Sequence, residues 1–189
     1  MVTPLGAYLA FLGALGAERI AELIISARNA RWAFMRGAQE AGHGHYPVMA
    51  AFHTLFIISC AGEALIFKRT FPGVVGWIAL AGALVAQALR YWAVATLGHR
   101  WNTRIIVLPG AAPVTSGPYR FLRHPNYLAV VMEMICVPMI YDCWLTAIVF
   151  SAGNAMLLRV RIKAEESALG DAYQHSFSSI PRLLPRPRH

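Results

Sequence analysis

Apolar residues fall along this chain in four blocks separated by polar, arginine-bearing connections. A helix that crosses a bilayer needs about 20 consecutive, mostly apolar residues. Three blocks, over about 4–26, 47–67 and 73–97, meet that length as single spans. The fourth runs over 127–158 and is interrupted by Pro138 and by Tyr141-Asp142. It is too long for one span and short for two full ones, so it reads as a tight helical hairpin. Its first helix covers about 125–140 and its second about 143–168, continuing beyond the membrane. The predicted fold is therefore an all-α integral membrane protein of about five transmembrane helices, in one domain over 1–189. A polar loop covers 98–124 and a basic tail 176–189. No internal repeat is visible.

Composition agrees with this pattern. The 189 residues are 57% hydrophobic and 14% charged, with mean hydropathy +0.48, whereas soluble domains carry about 25% charged residues. The N-terminal stretch lacks a basic n-region and stays apolar too long for a secretory signal, so it reads as the first span. Cys60, Cys136 and Cys143 have no metal-like spacing and read as small core residues. No polar basic face exists outside the loops, which argues against nucleic acid as a partner.

The net charge of +8 is unevenly placed. Arg28, Arg31 and Arg36 lie in the first connection, Lys68 and Arg69 in the second, and Arg100, Arg104, Arg120 and Arg123 in the third. Arg159, Arg161, Lys163, Arg182, Arg186 and Arg188 follow the hairpin. Short cytoplasmic connections collect Lys and Arg. Five spans with the N-terminus outside place thirteen of these residues in the cytoplasm and two opposite; six spans would spoil the asymmetry. The tail SSIPRLLPRPRH is expected to lie irregularly along anionic headgroups.

Ionisable residues inside spans are expensive and face a cavity or one another. Glu18, Arg19 and Glu22 fall in the first span, His53 and Glu63 in the second, Gln87 and Arg90 in the third, and Glu133 in the fourth. Two readings are open: interhelical pairing, such as Arg90 with a carboxylate of span one or four, or a polar floor beneath a pocket. The single H-x-H pair, His43 and His45, sits in a glycine-rich loop and reads as solvated rather than metal-binding, so no metal site is expected.

Two polar segments carry the chemistry. In RHPNY, Pro125 suits the first position of a helix, leaving free N–H groups and the positive end of the dipole behind Arg123 and His124. That arrangement is either a carboxylate or phosphate site or an interfacial anchor of Arg, His and Tyr. In RVRIKAEESAL, residues 159–169, Arg161 and Glu165 share one helix face. Upstream, RIIVLPG predicts an extended segment ended by a turn, and VTSGPY predicts a second turn. In the hairpin topology RHPNY and RVRIKAEESAL converge on the cytoplasmic side.

VTSGPYRFLRHPNY followed some forty residues later by RxxxEE resembles the isoprenylcysteine carboxyl methyltransferase family of integral-membrane enzymes, over about 99–175. The resemblance implies S-adenosylmethionine (SAM) as cofactor and S-adenosylhomocysteine as product, with 98–124 as a cytoplasmic cofactor-binding loop. Its implied contacts are the backbone of Ala111, Ala112, Pro113 and Val114, with Tyr119, His124, Pro125, Asn126, Tyr127 and Glu165. Arg161 matches the residue that orients the acceptor, and Arg161 and Glu165 together form the implied catalytic pair. Where eukaryotic members carry a glutamine, this chain has Arg104. The chain also lacks their additional spans, so the implied acceptor is a lipophilic molecule with a carboxylate or hydroxyl, either isoprenylcysteine-like or a phenolic or other lipid. RHPNY is also similar to a string in membrane sterol reductases, which keeps an NADPH-dependent reductase as an alternative. A non-enzymatic transporter or scaffold that uses the intramembrane charges is another.

Overall fold

The computed structural model of the chain describes residues 3–42 and 44–183. Among them, five α-helices form at the apolar blocks: α1 (Pro4–Phe34), α2 (His45–Ile66), α3 (Val74–Leu97), α4 (Pro125–Met139) and α5 (Trp144–Ser176). Among the described residues three segments are long and apolar enough to cross a membrane: Tyr46–Ile66, Val74–Arg100 and Trp144–Ser176. Their outward faces show large side chains such as Ile58, Trp77, Ile78, Ile148 and Val149. A water-facing helix would carry polar residues there, and this coat marks a membrane protein. At 1.5 Å per residue, the 15-residue α4 is only about 22 Å long.

The first helix runs well past residue 26, where the first span was expected to end. Polar bonds hold its last turns: Asn29 Nδ2 donates to the Trp101 carbonyl at 2.8 Å, and Ser26 Oγ donates to Asn102 Oδ1 at 2.9 Å. Its end thereby braces the loop between α3 and α4. That loop contributes β2 (Ile105–Val107), which pairs antiparallel with β1 (Gln39–Ala41) in the register Gln39↔Val107 to Ala41↔Ile105. The extended RIIV segment forms as expected. Its partner in the first connection gives no signal of its own, because three residues are too short to display an alternation.

Small residues let the helices approach closely, as is usual between helices in lipid. Ala79, Ala83, Ala86 and Ala93 of α3 are buried, and a methyl group on Gly82 would stand 2.7 Å from Cys136 Sγ of α4. Next to this seam the ionisable side chains of the apolar helices pair, within α1 and across helices. Arg90 forms a two-pronged contact with Glu133, Nε–Oε1 3.0 Å and Nη2–Oε2 2.6 Å. Arg19 binds Glu22 at 2.5 Å and Glu133 at 3.2 Å, and Gln87 donates to Glu18. Glu63 serves a helix end instead. It accepts the Thr146 N–H at 2.7 Å at the start of α5, where the helix dipole favours a carboxylate, and pairs with Arg69 at 2.9 Å.

Helix α5 is interrupted at Gly170, whose φ of 71° is left-handed and costs glycine little. Ile180, Pro181 and Arg182 return to the RHPNY segment: the Arg123 and His124 N–H groups donate to the Pro181 and Arg182 carbonyls at 2.9 and 3.1 Å. Arg186 and Arg188 of the tail, and His43 of the H-x-H pair, lie outside the described residues.

Candidate active site

Pro125 opens α4 at the first helical position, with His124 as the preceding cap residue. Proline fits because its missing N–H would have had no helical partner. The front of this helix is covered by the returning C-terminal segment, where Arg123 Nε donates to the Ile180 carbonyl at 2.7 Å. His124 is buried, its ring stacked on Tyr127 at 5.1 Å, and its Nε2 lies 3.1 Å from Glu166 Oε1. Arg182 binds the same carboxylate, Nη2–Oε2 2.6 Å.

A cavity of about 1090 Å³ lies behind this front. Ala111, Ala112, Pro113, Val114, Tyr119, His124, Asn126, Tyr127 and Glu165 all line it, together with Arg161. Pro125 does not; it is fully buried behind the turn it starts. Arg100 Nη1 donates to the Ala112 carbonyl at 2.6 Å and so holds the 111–114 backbone. Arg104 also lines the cavity, paired with Glu40 at 2.9 Å.

The opposed helices meet on one hydroxyl. Tyr127 of α4 donates to Glu165 of α5 and accepts from Arg161 Nε at 2.7 Å. Arg161 further donates to the Thr103 carbonyl at 2.6 Å and touches Met49 Sδ at 3.2 Å. Among the described residues no carboxylate stands within ion-pair distance of Arg161, although it is buried. A buried guanidinium facing a cavity with no carboxylate in direct contact favours an anionic occupant. Asn126 Oδ1 is likewise buried, without a hydrogen-bond partner, and invites a donor. Burial, then the charge of Glu165, pushes the Tyr119 phenol above its ordinary range, so it remains a protonated donor.

The cavity continues between α1 and α2. Arg19, Glu22, His53 and Arg90 line its deep part, so the intramembrane charges both pair with one another and border the cavity. Ile20 and Ile58 line it while remaining 62% and 60% exposed on the outer surface. The space therefore opens sideways between two apolar helices as well as towards the loop.

Sequence reasoning assigned no role to Glu166, Thr103, Met49 or Arg100. RxxxEE pointed at two carboxylates, and the doubled acid was the available signal for Glu166. Thr103 and Ala112 act through backbone carbonyls, which side-chain identity does not report.

Residues 77–171 match the isoprenylcysteine carboxyl methyltransferase (ICMT) family. The chain is 39% identical over 153 residues to Bacillus subtilis YpbQ, covering 80% of this chain and 90% of that one. It is 29% identical over 161 residues to a Haemophilus influenzae protein, covering 85% and 93%. Both relatives are described as uncharacterized.

Proposed function

Because the chain belongs to the isoprenylcysteine carboxyl methyltransferase family, we propose that it is a SAM-dependent methyltransferase acting on a carboxylate or hydroxyl of a lipophilic acceptor at the membrane. The observation that carries this reading is the continuous cavity. It joins the loop residues 111–114, Asn126 and Glu165 at one end to an apolar side opening at Ile20 and Ile58 at the other. A charged donor and a greasy acceptor can approach one another there from different phases.

The residues present suit SAM. Glu165 and the unpartnered Asn126 Oδ1 offer acceptors for its ammonium group, and the backbone of 111–114 lines the wall beside them. Bound SAM would supply a methyl group on a positively charged sulfur. The chain's own work is then positioning and exclusion of water. Arg161, fixed through Tyr127 and Thr103, orients the acceptor oxygen through charge-assisted hydrogen bonds. The apolar walls between α1 and α2 receive the lipid tail.

Five spans with the N-terminus outside and the loop and C-terminus in the cytoplasm fit this assignment. The placement of basic residues favours it, and it opens the loop end of the cavity to cytoplasmic SAM.

Calorimetric titration of the detergent-purified protein with S-adenosylhomocysteine and with NADPH tests the reading. Saturable heat is expected from the former alone. Heat from NADPH alone would overturn the methyltransferase in favour of a reductase, and heat from neither would leave the transporter or scaffold reading.

A further inference from the structure

His53 stands on α2 one turn from Met49, and its Nδ1 lies 2.9 Å from the Met49 carbonyl oxygen. A carbonyl only accepts, so Nδ1 carries a proton and the neutral ring keeps its lone pair on Nε2. Among the described residues no hydrogen bond engages Nε2. The imidazole lines the main cavity and also a small void of about 10 Å³ beneath it, shared with Arg19 and Glu133. Met49 touches Arg161. At 1.5 Å of rise per residue, His53 therefore sits about 6 Å deeper along α2 than that contact.

An ionised carboxylate acceptor needs no base. A phenol, with a pKa near 10, does, and so does any weakly acidic hydroxyl. Resting on the methyltransferase reading above, we infer that His53 is the proton acceptor for a hydroxyl-bearing lipid, a phenol or enol with an apolar tail, and that Arg161 holds the oxyanion formed. Nε2 takes the hydroxyl proton. The freed oxygen pair forms the bond to the methyl carbon, while the carbon–sulfur pair stays on sulfur and leaves a neutral thioether. The imidazolium then loses its proton to water at the loop end of the cavity.

Arg19 and Glu22 of α1, Arg90 of α3, Glu133 of α4 and Arg161 of α5 border the same space, and Glu18 completes the cluster behind it. Glu18, Glu22 and Glu133 equal Arg19, Arg90 and Arg161 in number, so the cluster carries no net charge of its own.

The test uses the detergent-purified full chain, with His53→Asn and His53→Gln beside the unaltered protein. Without cofactor, 4-dodecyl-2-nitrophenol is titrated with pH and its phenolate absorbance followed. The unaltered protein should ionise the bound probe at least about one pH unit below either variant. Radiolabelled methyl transfer to 4-dodecylphenol at neutral pH should fall about 100-fold in the variants. That deficit should shrink towards pH 10 and with the more acidic nitrophenol, while affinity for S-adenosylhomocysteine stays within about threefold. Equal phenol turnover and equal probe ionisation in variant and unaltered protein would overturn the inference. So would an unaltered protein that methylates N-acetyl-S-farnesylcysteine but neither phenol, a result that leaves the methyltransferase reading standing. Absence of S-adenosylhomocysteine binding would remove that reading itself. If both variants fail to fold, phenolate formation and phenol turnover by the unaltered protein decide, and absence of both refutes the role.

Discussion

Tyr127 donates its hydroxyl to Glu165 across the α4–α5 contact, joining residues 38 positions apart. The same oxygen accepts from Arg161. One phenol thus sets the positions of the carboxylate assigned to the cofactor and of the guanidinium assigned to the acceptor.

Glu165→Gln keeps shape and removes charge. Hydrogen bonds to charged groups contribute about 1.5–3 kcal/mol, so affinity for S-adenosylhomocysteine should drop roughly 10- to 100-fold by calorimetry. Tyr127→Phe keeps the carboxylate but removes the hydroxyl that positions it, and should weaken binding less than Glu165→Gln while lowering turnover. A larger binding loss in Tyr127→Phe than in Glu165→Gln would contradict the assignment.

Arg161→Lys retains charge but loses the planar fork that reaches Tyr127 and Thr103. Turnover should fall about 100-fold, as expected for a misplaced reactant, with S-adenosylhomocysteine affinity nearly unchanged. Parallel loss of both would show that Arg161 belongs to the cofactor instead.

The Arg90–Glu133 pair is buried between α3 and α4. Removing one partner strands a buried charge, so Arg90→Leu should destabilise by about 3–5 kcal/mol. The double change Arg90→Leu/Glu133→Leu should recover much of that. Thermal unfolding in detergent reads both, and a double variant no better than the single would disprove the coupling.

Gly117 has φ +56°, and a methyl group there would press on the Thr96 side chain, with Cγ2 at 2.9 Å and Oγ1 closer. Thr96 is held by its own bond to the Trp92 carbonyl at 2.8 Å. Gly117→Ala should therefore lower the unfolding temperature through both strain and clash, at about 1–3 kcal/mol for the backbone alone. Gly117→Ala/Thr96→Ala should relieve only the clash. Full recovery would show that the left-handed backbone carries no cost.

Arg182 is largely exposed, but its partner Glu166 is buried and also binds His124. Truncation after Ser179 removes that cation and the carbonyls that receive the Arg123 and His124 N–H groups. S-adenosylhomocysteine affinity should fall several-fold, with faster proteolysis near residue 123. Unchanged affinity and protection would show that the returning segment does not support the site.

Local physics was legible in the sequence. Apolar blocks cut by arginine-bearing connections marked the helices, since hydropathy is summed over neighbouring residues. Pro125 marked the start of α4 because its ring suits only the first turn. RHPNY and RxxxEE named the two ends that meet, because each motif is contiguous. The tertiary structure decided what is paired at a distance. Four carboxylates and two arginines in the spans allow many matchings, and helix packing selected Glu133 as the partner of Arg90 and brought Arg19 to the same carboxylate. Three-residue strands carry no readable alternation, so the pairing of β1 with β2 emerged only when α1 and the loop were set side by side. Glu166 and Glu165 are neighbours of one chemical type; the helical turn between them sends one to His124 and Arg182 and the other to Tyr127. That division follows from rotation about α5, which a string of residues does not display until a second helix lies against it.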